Sequence, residues 1–578
     1  MAQITYRANL SAKSFPFLSQ NWGRTVIVPQ YDNTFSRDLA SQGDVDRDIG
    51  IPQIFYCHNV MPHQQGFQSV GYTQLQEGQN LGGKILSQTF LARSGAGSAI
   101  YLAVDTTGGI YKQVGGTWQF LQQLVNATIT VAYVSGVTYI YVANSGCYKF
   151  NFATGVLDAV TLTALDPTKI AGITYSVGYL IAWNSPKASF TATVTYVSGS
   201  NSASTTSTLA LTVGQLVTSP SLPSNTTVQS IDSPTTFTVS NAATASTSET
   251  STFAEVPSSV AWSSTIDPTD FTPSLVTGAG GGSVESARGS ITCCVAHIQG
   301  FIVYTTNNAV VAAYSGNSRY PFNFREIVAS GGLSSLAQVT FDANTGNHYA
   351  YTTSGLQLIS TTQTQTILPE LTDFISGRLF EDYNEATDTF TSTTITAPLQ
   401  KQITMVSDRY LVFSYGITSL THALVYDLTD KRWGKLKIPH TQCFEYQIPS
   451  AQIVEIPRQS IAFLQADGTL KVVDFSVTSM ASSGVIALGK YQFIRARLLQ
   501  LDEVFVENVQ PGMPFTAYDL VALDGKNTTK SSLMLDANST GLLRHYFSRA
   551  VGINHSLVFK GGFLINSLVL VFNIHGKR

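Results

Sequence analysis

Three acidic residues near the N-terminus are the first candidates for binding chemistry. Asp44, Asp46 and Asp48 occupy alternate positions, as ligands do in the first half of an EF-hand calcium loop. Such a loop also needs glycine at its sixth position, where the chain turns sharply, and glutamate at its twelfth, which closes the cage. These positions hold Ile49 and Phe55. The segment is therefore predicted to be a solvated acidic strand, and no metal ligand is assigned.

Other patterns that could support catalysis are incomplete. Residues 278–283 (GAGGGS) are rich in glycine, but no Lys-Ser/Thr pair and no helix follow, so a flexible loop is predicted instead of a phosphate-binding loop. The histidines are scattered without HxH or HExxH spacing, and the sequence has no GxSxG nucleophile elbow. They include His58, His63, His297, His348, His422 and His440.

Two Asp-Gly turns resemble fragments of the Asp-box turns of sialidase-like propellers. They are residues 105–109 (DTTGG) and 467–469 (DGT). Asp-Gly turns are also ordinary hairpin chemistry. The sequence therefore makes no case for an enzyme, and no catalytic, cofactor-binding or metal-binding residue is assigned.

The elements that position these residues recur along the chain. Each repeat is an apolar and aromatic strand followed by a Gly, Asp or Asn turn and a return strand. Self-similarity at roughly 40 to 50 residues, with two to four short strands per unit, predicts an all-β fold with a β-propeller of six to eight blades. The clearest copies are residues 99–111 (AIYLAVDTTGGIY), 137–150, 300–311, 348–358, 409–427 and 461–472.

The composition favours a surface that other subunits cover. Of the 578 residues 43% are hydrophobic but only 12% are charged, where soluble proteins average about 25%. Ser, Thr, Asn, Gln and Gly supply the polarity, so the alternative is simply a Ser/Thr-rich β protein. The formal net charge of −3 excludes a global basic surface that grips nucleic acid. The same charge permits a conduit through which DNA slides without sticking.

The cysteines and the hydropathy pattern predict a soluble protein made in a cytoplasm. The five cysteines are odd in number and form no CxxC motif, so they are interpreted as small core residues in a reducing compartment. No secretory signal is visible at the N-terminus, and no stretch reaches the about 18 apolar residues of a membrane span. The Asn-x-Ser/Thr sites are therefore not expected to carry glycans.

Changes in composition divide the chain into five regions. We expect an N-terminal arm with platform strands (1–50), a first part of the propeller (51–187), an inserted Ser/Thr-rich β-sandwich-like domain (188–253), the remainder of the propeller (254–488) and a C-terminal β region (489–578). Residues 371–386 hold the best of few helix candidates, centred on 378–385. Strands are predicted over 492–498 and 501–507 at the start of the C-terminal region.

Three phrases resemble the tail nozzle (tail tubular protein B) and related packaged-DNA stabilisation proteins of short-tailed bacteriophages. Residues 59–72 (NVMPHQQGFQSVGY) are similar to that family's lead into the first blade. Residues 260–263 (VAWS) with 267–271 (DPTDF) resemble a recurrent blade phrase of phage tail propellers. The inserted module, with residues 211–217 (LTVGQLV), looks like the small β domains inserted into phage structural proteins. The insertion departs from the plainest members of the family.

The resemblance implies a structural virion protein in the phage tail, assembled in the host bacterial cytoplasm. Its copies would form a homohexameric ring below the portal and adaptor, enclosing and gating the channel through which DNA leaves. The implied partners are other copies of the chain, the adaptor, tail fibre or tail spike proteins, and packaged DNA that passes without sequence-specific binding; no membrane insertion or cofactor is implied.

Two other functions compete with this one. A receptor- or glycan-binding propeller tail protein would carry a cluster of carboxylates and arginines on one propeller face. A general protein-interaction propeller is the third candidate, and oligomeric state separates it from the nozzle, because a hexameric ring is not expected of an interaction module.

Overall fold

The computed structural model describes most of the chain in two compact units. The described residues are 3–9, 26–27, 46–48, 54–63, 66–79, 81–124, 127–143, 145–166, 170–184, 189–208, 211, 215–254, 258–368, 379–384, 389–394, 399–429, 432–446, 460–475, 484–492, 497–508, 515–522, 528–535, 543–552 and 554–577. Unit 1 comprises residues 1–89, 113–118 and 367–578, and unit 2 comprises 90–112 and 119–366.

Short strands account for nearly all of the regular structure. Before residue 80 they are β1 (Gln3–Asn9), β2 (Val26–Ile27), β3 (Asp46–Asp48), β4 (Ile54–His58), β5 (Val60–His63), β6 (Gly66–Ser69) and β7 (Gly71–Gln76). Between residues 86 and 184 they are β8 (Leu86–Arg93), β9 (Ala99–Asp105), β10 (Gly109–Val114), β11 (Thr117–Gln123), β12 (Ile129–Val134), β13 (Val137–Val142), β14 (Gly146–Asn151), β15 (Val156–Val160), β16 (Ile170–Ser176) and β17 (Tyr179–Asn184).

The middle of the chain continues in the same way. Its strands are β18 (Phe190–Tyr196), β19 (Ser202–Thr205), β20 (Val217–Thr218), β21 (Val228–Ile231), β22 (Thr236–Val239), β23 (Thr247–Phe253), β24 (Ser259–Trp262), β25 (Gly280–Ser283), β26 (Ile291–His297), β27 (Gly300–Thr305), β28 (Ala309–Tyr314), β29 (Phe322–Glu326), β30 (Val339–Phe341), β31 (His348–Thr352), β32 (Gly355–Ile359) and β33 (Thr364–Thr366). A 3₁₀ helix spans Leu336–Gln338, and the described residues contain no helix long and apolar enough to cross a membrane.

The last third of the chain is also made of strands. They are β34 (Leu379–Asn384), β35 (Thr389–Thr394), β36 (Gln400–Val406), β37 (Tyr410–Gly416), β38 (Leu420–Asp427), β39 (Arg432–His440), β40 (Gln442–Tyr446), β41 (Ser460–Leu464), β42 (Leu470–Asp474), β43 (Gly484–Gln492), β44 (Arg497–Asn508), β45 (Phe515–Ala522), β46 (Thr528–Ser532), β47 (Met534–Leu535), β48 (Leu543–Phe547), β49 (Val551–Gly552), β50 (Asn554–Gly561) and β51 (Leu564–Lys577).

Sets of four hydrogen-bonded strands recur along the chain, and they are the blades of a β-propeller. The described residues form seven such sets, within the range that the repeats predict. We number them in chain order: blade 1 (β8–β11), blade 2 (β12–β15), blade 3 (β16, β17, β24, β25), blade 4 (β26–β29), blade 5 (β30–β33), blade 6 (β36–β39) and blade 7 (β40–β42 with β7). The predicted all-β propeller fold is confirmed.

The apolar runs become strands because the middle of a blade is buried on both faces. All six residues of β27 (GFIVYT) are buried, and so are all five of β31 (HYAYT). Such continuous burial explains why these strands read as unbroken apolar and aromatic runs instead of alternating ones. In unit 2 these strands form one core with the indoles of Trp183 and Trp262.

Strand β7 completes blade 7 from the other end of the sequence. It pairs antiparallel with β42, with Tyr72 opposite Val473 and Thr73 opposite Val472. The hydroxyl of Thr73 also donates to the carboxylate of Asp474, which lies 401 residues further along the chain. Blade 7 is therefore closed by residues from both halves of the sequence.

The inserted module is a single six-stranded sheet around its own core. The strand order is β20-β23-β18-β19-β22-β21, and a bridge between Leu216 and Thr227 joins its two ends. The amide of Val217 donates to Thr226 O at 2.9 Å, which continues the same junction. Inward residues such as Phe237 and Phe253 fill the centre. The module encloses one core, as the two layers of the predicted sandwich would.

Both ends of the chain build further sheets in unit 1. Strand β1 pairs along its whole length with β51, from Gln3 opposite Asn573 to Asn9 opposite Ser567. Strands β5 and β6 form a hairpin at residues 60–69 that continues the sheet of blade 6 towards β51 and β44. A second sheet has the order β2-β43-β50-β45-β46, with β4 on β43. The predicted C-terminal β region and the N-terminal platform strands thus belong to shared sheets.

The predicted helix within residues 371–386 is wrong where the structure describes it. Leu379–Asn384 is strand β34, paired residue for residue with Thr389–Thr394. A helix this short has a costly nucleus, whereas a hairpin gains cross-strand pairs with a threonine-rich partner that favours strands. The remaining residues of the segment lie outside the described part.

The glycine-rich segment also differs from expectation. Gly280–Ser283, predicted as a flexible loop, is strand β25, with Trp262 opposite Gly280. A Cβ on Gly281 would lie 2.9 Å from Val260 O, so the missing side chains let this strand approach its neighbour closely. Of the strand predicted over 492–498, Gln492 ends β43 and residues 497–498 begin β44, while residues 493–496 lie outside the described part. The strand predicted over 501–507 lies within β44 and is confirmed.

Candidate functional site

The carboxylate of Asp105, at the first Asp-Gly turn, is fully occupied by its own hairpin. Its Oδ1 accepts from Thr107 N (2.7 Å), Thr107 Oγ1 (2.7 Å) and Gly109 N (2.9 Å), and its Oδ2 accepts from Tyr111 OH at 3.1 Å. Burial opposes ionisation of Asp105, but these hydrogen bonds outweigh it and lower the pKa of the carboxyl group. Asp105 is completely buried. The group therefore holds the turn between β9 and β10.

Blades 4 and 5 use hydroxyl groups for the same purpose. In blade 4 the Thr305 hydroxyl lies 2.8 Å from Asn308 Oδ1 and accepts from Asn307 N at 3.1 Å. In blade 5 the Thr352 hydroxyl donates to Gln357 Oε1 at 3.0 Å and accepts from Ser354 N at 3.1 Å. Each pair spans the turn between the second and third strands of its blade. A sequence search for Asp-Gly turns misses both, because a threonine hydroxyl makes the turn-stabilising hydrogen bonds that the Asp105 carboxylate makes in blade 1.

Replacing Asp105 with alanine is expected to lower the free energy of unfolding by about 3 kcal/mol, because buried donors lose an ionised acceptor. The matched control is Asp267→Ala: Asp267 makes the same two bonds, to Thr269 N (2.8 Å) and Thr269 Oγ1 (2.7 Å), in an exposed loop. Water can replace those bonds, so roughly 0.5 kcal/mol is expected there. Urea unfolding followed by circular dichroism measures both, and equal losses would contradict the assignment.

Five of the six histidines named above are buried. They are His58, His297, His348, His422 and His440. His348 Nε2 donates to Ala296 O at 2.8 Å, and its Nδ1 accepts from Tyr304 OH at 2.9 Å. In unit 1, His440 Nδ1 donates to Ile438 O and its Nε2 lies 2.8 Å from Ser414 Oγ. Burial lowers the pKa of His348 to about 3 and that of His440 to about 4. Both imidazoles are therefore neutral at physiological pH, and each joins buried groups through hydrogen bonds.

Acid is expected to destabilise unit 2 through His348. An imidazole in the unfolded chain takes up a proton near pH 6.5, whereas burial holds the folded pKa near 3. Between these values the unfolded chain binds more protons, so the free energy of unfolding falls as the pH falls through this window. Melting temperatures measured from about pH 7 to about pH 4 should show that slope. His348→Gln should flatten it, and an unchanged slope would count against the assignment.

The cysteines are all free and buried, as their interpretation as core residues predicted. Burial raises the pKa of Cys57 to about 12, against the opposing charge of Lys435, and that of Cys147 to about 12 as well. Thiols with such values stay protonated and react poorly. Within the described ranges no group of three His, Cys, Asp or Glu side chains could hold a metal ion.

The acidic N-terminal segment is in part a strand. Asp46–Asp48 is β3 and pairs in parallel with β1, with Thr5 opposite Asp46 and Arg7 opposite Asp48. This confirms the strand over those residues, while Asp44 lies outside the described part.

Arginine–carboxylate contacts in the described blades join strands of one hairpin or neighbouring segments of one unit. Arg409 donates from Nε (2.9 Å) and Nη2 (2.7 Å) to the same oxygen of buried Asp427, whose other oxygen accepts from Thr429 N. Arg288 donates to Glu326 at 2.8 Å in unit 2. Both contacts thus stabilise the packing of segments within one unit.

No protein-family model and no curated protein matches the sequence. Among solved structures the chain is similar to Sqt1 of Saccharomyces cerevisiae (8% identity, TM-score 0.31), with coverage of 72% of this chain and 99% of that one. It is also similar to YCF48 bound to D1 peptide (8% identity, TM-score 0.31), with coverage of 70% of this chain and 94% of that one. The Dos1 propeller is similar as well (9% identity, TM-score 0.31), with coverage of 71% of this chain and 84% of that one. The polar groups described above hold strands and turns together, and the chain's own sheets establish a β-propeller with an inserted β module.

Proposed function

We propose that this protein is the tail nozzle of a short-tailed bacteriophage, a structural subunit of a homohexameric ring below the portal and adaptor. The observation that carries the proposal is the construction of unit 1, where the sheet of blade 6 continues into strands from both ends of the chain. Such sheets give the propeller a second body of structure through which to join neighbours. The resemblance of residues 59–72 to the nozzle family supports it further, because those residues form β5, β6 and the start of β7.

The composition suits a tube that DNA must pass without being held. Binding of DNA is dominated by neutralisation of phosphates by Lys and Arg, and this chain has 33 such residues against 36 Asp and Glu. A lumen lined by neutral or acidic side chains leaves the DNA mobile. Surfaces poor in Lys and Glu also suit subunit contacts, whose centres are depleted in charge.

The test is to image the purified full-length chain by electron microscopy, alone and mixed with a portal–adaptor ring. We expect an annulus of six subunits with an axial pore, formed freely or on the adaptor. A monomer of 62.3 kDa that ignores the adaptor ring would overturn the proposal. A companion measurement is double-stranded DNA binding by the ring at physiological salt, which we expect to be weak.

One observation favours the receptor- or glycan-binding alternative. Exposed hydroxyls cover one face of the inserted module, where Thr191 and Thr193 of β18 lie opposite Thr252 and Thr250 of β23. Rows of hydroxyls on a rigid sheet can donate and accept hydrogen bonds to sugar hydroxyls. Binding of host surface polysaccharide that is lost on Thr193→Val/Thr250→Val, by a chain that forms no ring, would establish this alternative instead.

A further inference from the structure

We propose that the loop between β24 and β25, residues 263–279, is a contact by which one copy of this chain binds a second, and we call it the blade-3 loop. The inference rests on the proposed function, because it names a surface through which subunits of the ring would associate. Four features carry it: the loop is ordered by its own hydrogen bonds, anchored in the core, apolar at its surface, and acidic.

The blade-3 loop is held in shape by its own polar groups. Ser264 N donates to Asp270 O at 2.7 Å, and Gly278 N donates to Ser274 O at 3.0 Å. The carboxylates of Asp267 and Asp270 accept from the amides two residues on, at 2.8 and 2.9 Å. A loop ordered before binding loses little conformational entropy when a partner covers it.

Phe271 anchors the loop from within. Its side chain is only 3% exposed and belongs to a core cluster of unit 2 that includes Leu162 and Ile173. Main-chain bonds tie the same stretch to Thr163, whose amide donates to Thr269 O at 2.8 Å and whose carbonyl accepts from Phe271 N at 3.0 Å. The loop is therefore fixed at its base, and its surface presents a constant shape.

The outer surface of the loop is aliphatic. Ile266, Leu275 and Val276 are 79%, 67% and 89% exposed, so a rigid loop holds three large apolar side chains in water. Single exposed apolar residues are ordinary, but a group of them on one ordered loop is typical of an interaction site. Covering them would remove apolar surface from water, which is the main favourable contribution to association.

The charges of the loop select the partner. Residues 263–286 contain Asp267, Asp270 and Glu285 but no Lys or Arg. Hydrogen bonds from Thr272 lower the pKa of Asp270, so this carboxylate is ionised at neutral pH. A complementary surface must then combine apolar or aromatic groups with cations, because like charges across an interface are strongly unfavourable.

The chain itself offers such a surface at the corresponding connection of blade 4. Between β28 and β29, which are also third and fourth strands of a blade, Tyr320 is 61% exposed and the Arg319 guanidinium lies 5.5 Å from its ring centre. Tyr314 is 44% exposed, and Arg325, which lies in β29 opposite Val311, is also exposed. We call residues 314–325 the Arg–Tyr turn. Tyrosine and arginine are the residues that protein interfaces favour most. The blade-3 loop of one copy thus fits the Arg–Tyr turn of another.

The first experiment measures self-association of the full-length chain by sedimentation. Ile266→Ser/Val276→Ser should weaken association by about tenfold or more, since two exposed apolar side chains are lost from the contact. The matched control is Val328→Ser, which changes a 74% exposed apolar residue on the connection between β29 and β30. Val328→Ser should associate like the wild-type chain, and equal effects of both variants would overturn the inference.

A charge exchange then tests the pairing itself. Asp267→Arg/Asp270→Arg makes the blade-3 loop cationic, and Arg319→Glu/Arg325→Glu makes the Arg–Tyr turn acidic, so each variant should repel its own copies. In a mixture, the cationic loop of the first variant can bind the acidic turn of the second, and the acidic loop of the second can bind the cationic turn of the first. The mixture should therefore associate again. Failure of the mixture to recover association would overturn the pairing.

The outcomes separate this inference from the proposed function. If the loop variants form hexameric rings as readily as the wild-type chain, the blade-3 loop is not the contact but the nozzle function stands. If the wild-type chain forms only dimers that the loop variants abolish, the contact stands and the nozzle function fails. A wild-type chain that remains monomeric at roughly 100 μM overturns the contact, while binding to the portal–adaptor ring still decides the function.

Discussion

Replacing Gly300 with alanine is expected to lower the free energy of unfolding of unit 2 by about 4 kcal/mol or more. Gly300 has φ +144°, which L-residues rarely adopt, and a Cβ there would lie 2.0 Å from Ala312 O. The obstructing atom is main chain of a buried neighbouring strand, so no side chain can move aside. Gly300 O also accepts from the hydroxyl of Ser176, which couples blade 3 to this strand. Fluorescence of Trp183 and Trp262, which lie in the same core, should report the loss in thermal unfolding.

Gly282→Ala is the matched control for this experiment. Gly282 lies in strand β25 of the same unit, and an added Cβ would meet nothing within 4 Å. Its φ is not in the left-handed region, so the change in stability should be within about 0.5 kcal/mol. Equal destabilisation by both substitutions would show that the close approach at Gly300 is not the cause.

The second large effect is expected from the buried pair of His555 and Asp519. His555 Nδ1 lies 2.6 Å from Asp519 Oδ2, and both side chains are completely inaccessible to water. Strands β45 and β50 carry them in the second sheet of unit 1, with Asp519 opposite Leu557. His555→Ala removes the partner of a buried carboxylate and should cost about 3 to 5 kcal/mol.

A double-mutant cycle distinguishes this pair from simple loss of packing. Asp519→Ala should cost a similar amount, because it removes the carboxylate that lies 2.6 Å from a buried imidazole. The double variant should cost clearly less than the sum of the two single variants, since neither buried polar group then remains. Urea unfolding followed by circular dichroism measures each variant, and strictly additive losses would contradict the coupling.

The blades could be predicted from the sequence because their signals are local. Residues 99–111 contain two strands and the turn between them, so the apolar run and the Asp-Gly turn are sufficient to identify β9 and β10. Asp105 was predicted only as part of an ordinary turn or an Asp-box fragment. The structure shows that Asp105 holds the turn by accepting four hydrogen bonds, and no sequence motif predicts that set of donors.

The features that escaped prediction depend on strand pairing, on a change of residue type or on exposure at the surface, none of which a sequence motif records. Leu379–Asn384 reads as a short helix until its pairing with Thr389–Thr394 is known. Thr305 and Thr352 stabilise their turns with a hydroxyl where blade 1 uses the Asp105 carboxylate. A search for the aspartate motif therefore does not find them. The blade-3 loop reads as a strand end with an Asp-Pro turn, and only the exposed fractions of Ile266 and Val276 mark it as a surface for a partner.

The pairing of β7 with β42 determines when blade 7 can be completed during translation. Thr73 and Asp474 are separated by 401 residues, so the ribosome needs roughly 20 to 80 s, at about 5 to 20 residues per second, between making one and making the other. Throughout that interval β7 has no partner in blade 7 and the blade is unfinished. A nascent or truncated chain therefore displays an unpaired strand edge, which is a known route to aggregation. Only chains translated past blade 7 can lose that hazard, because β42 is then available to pair with β7.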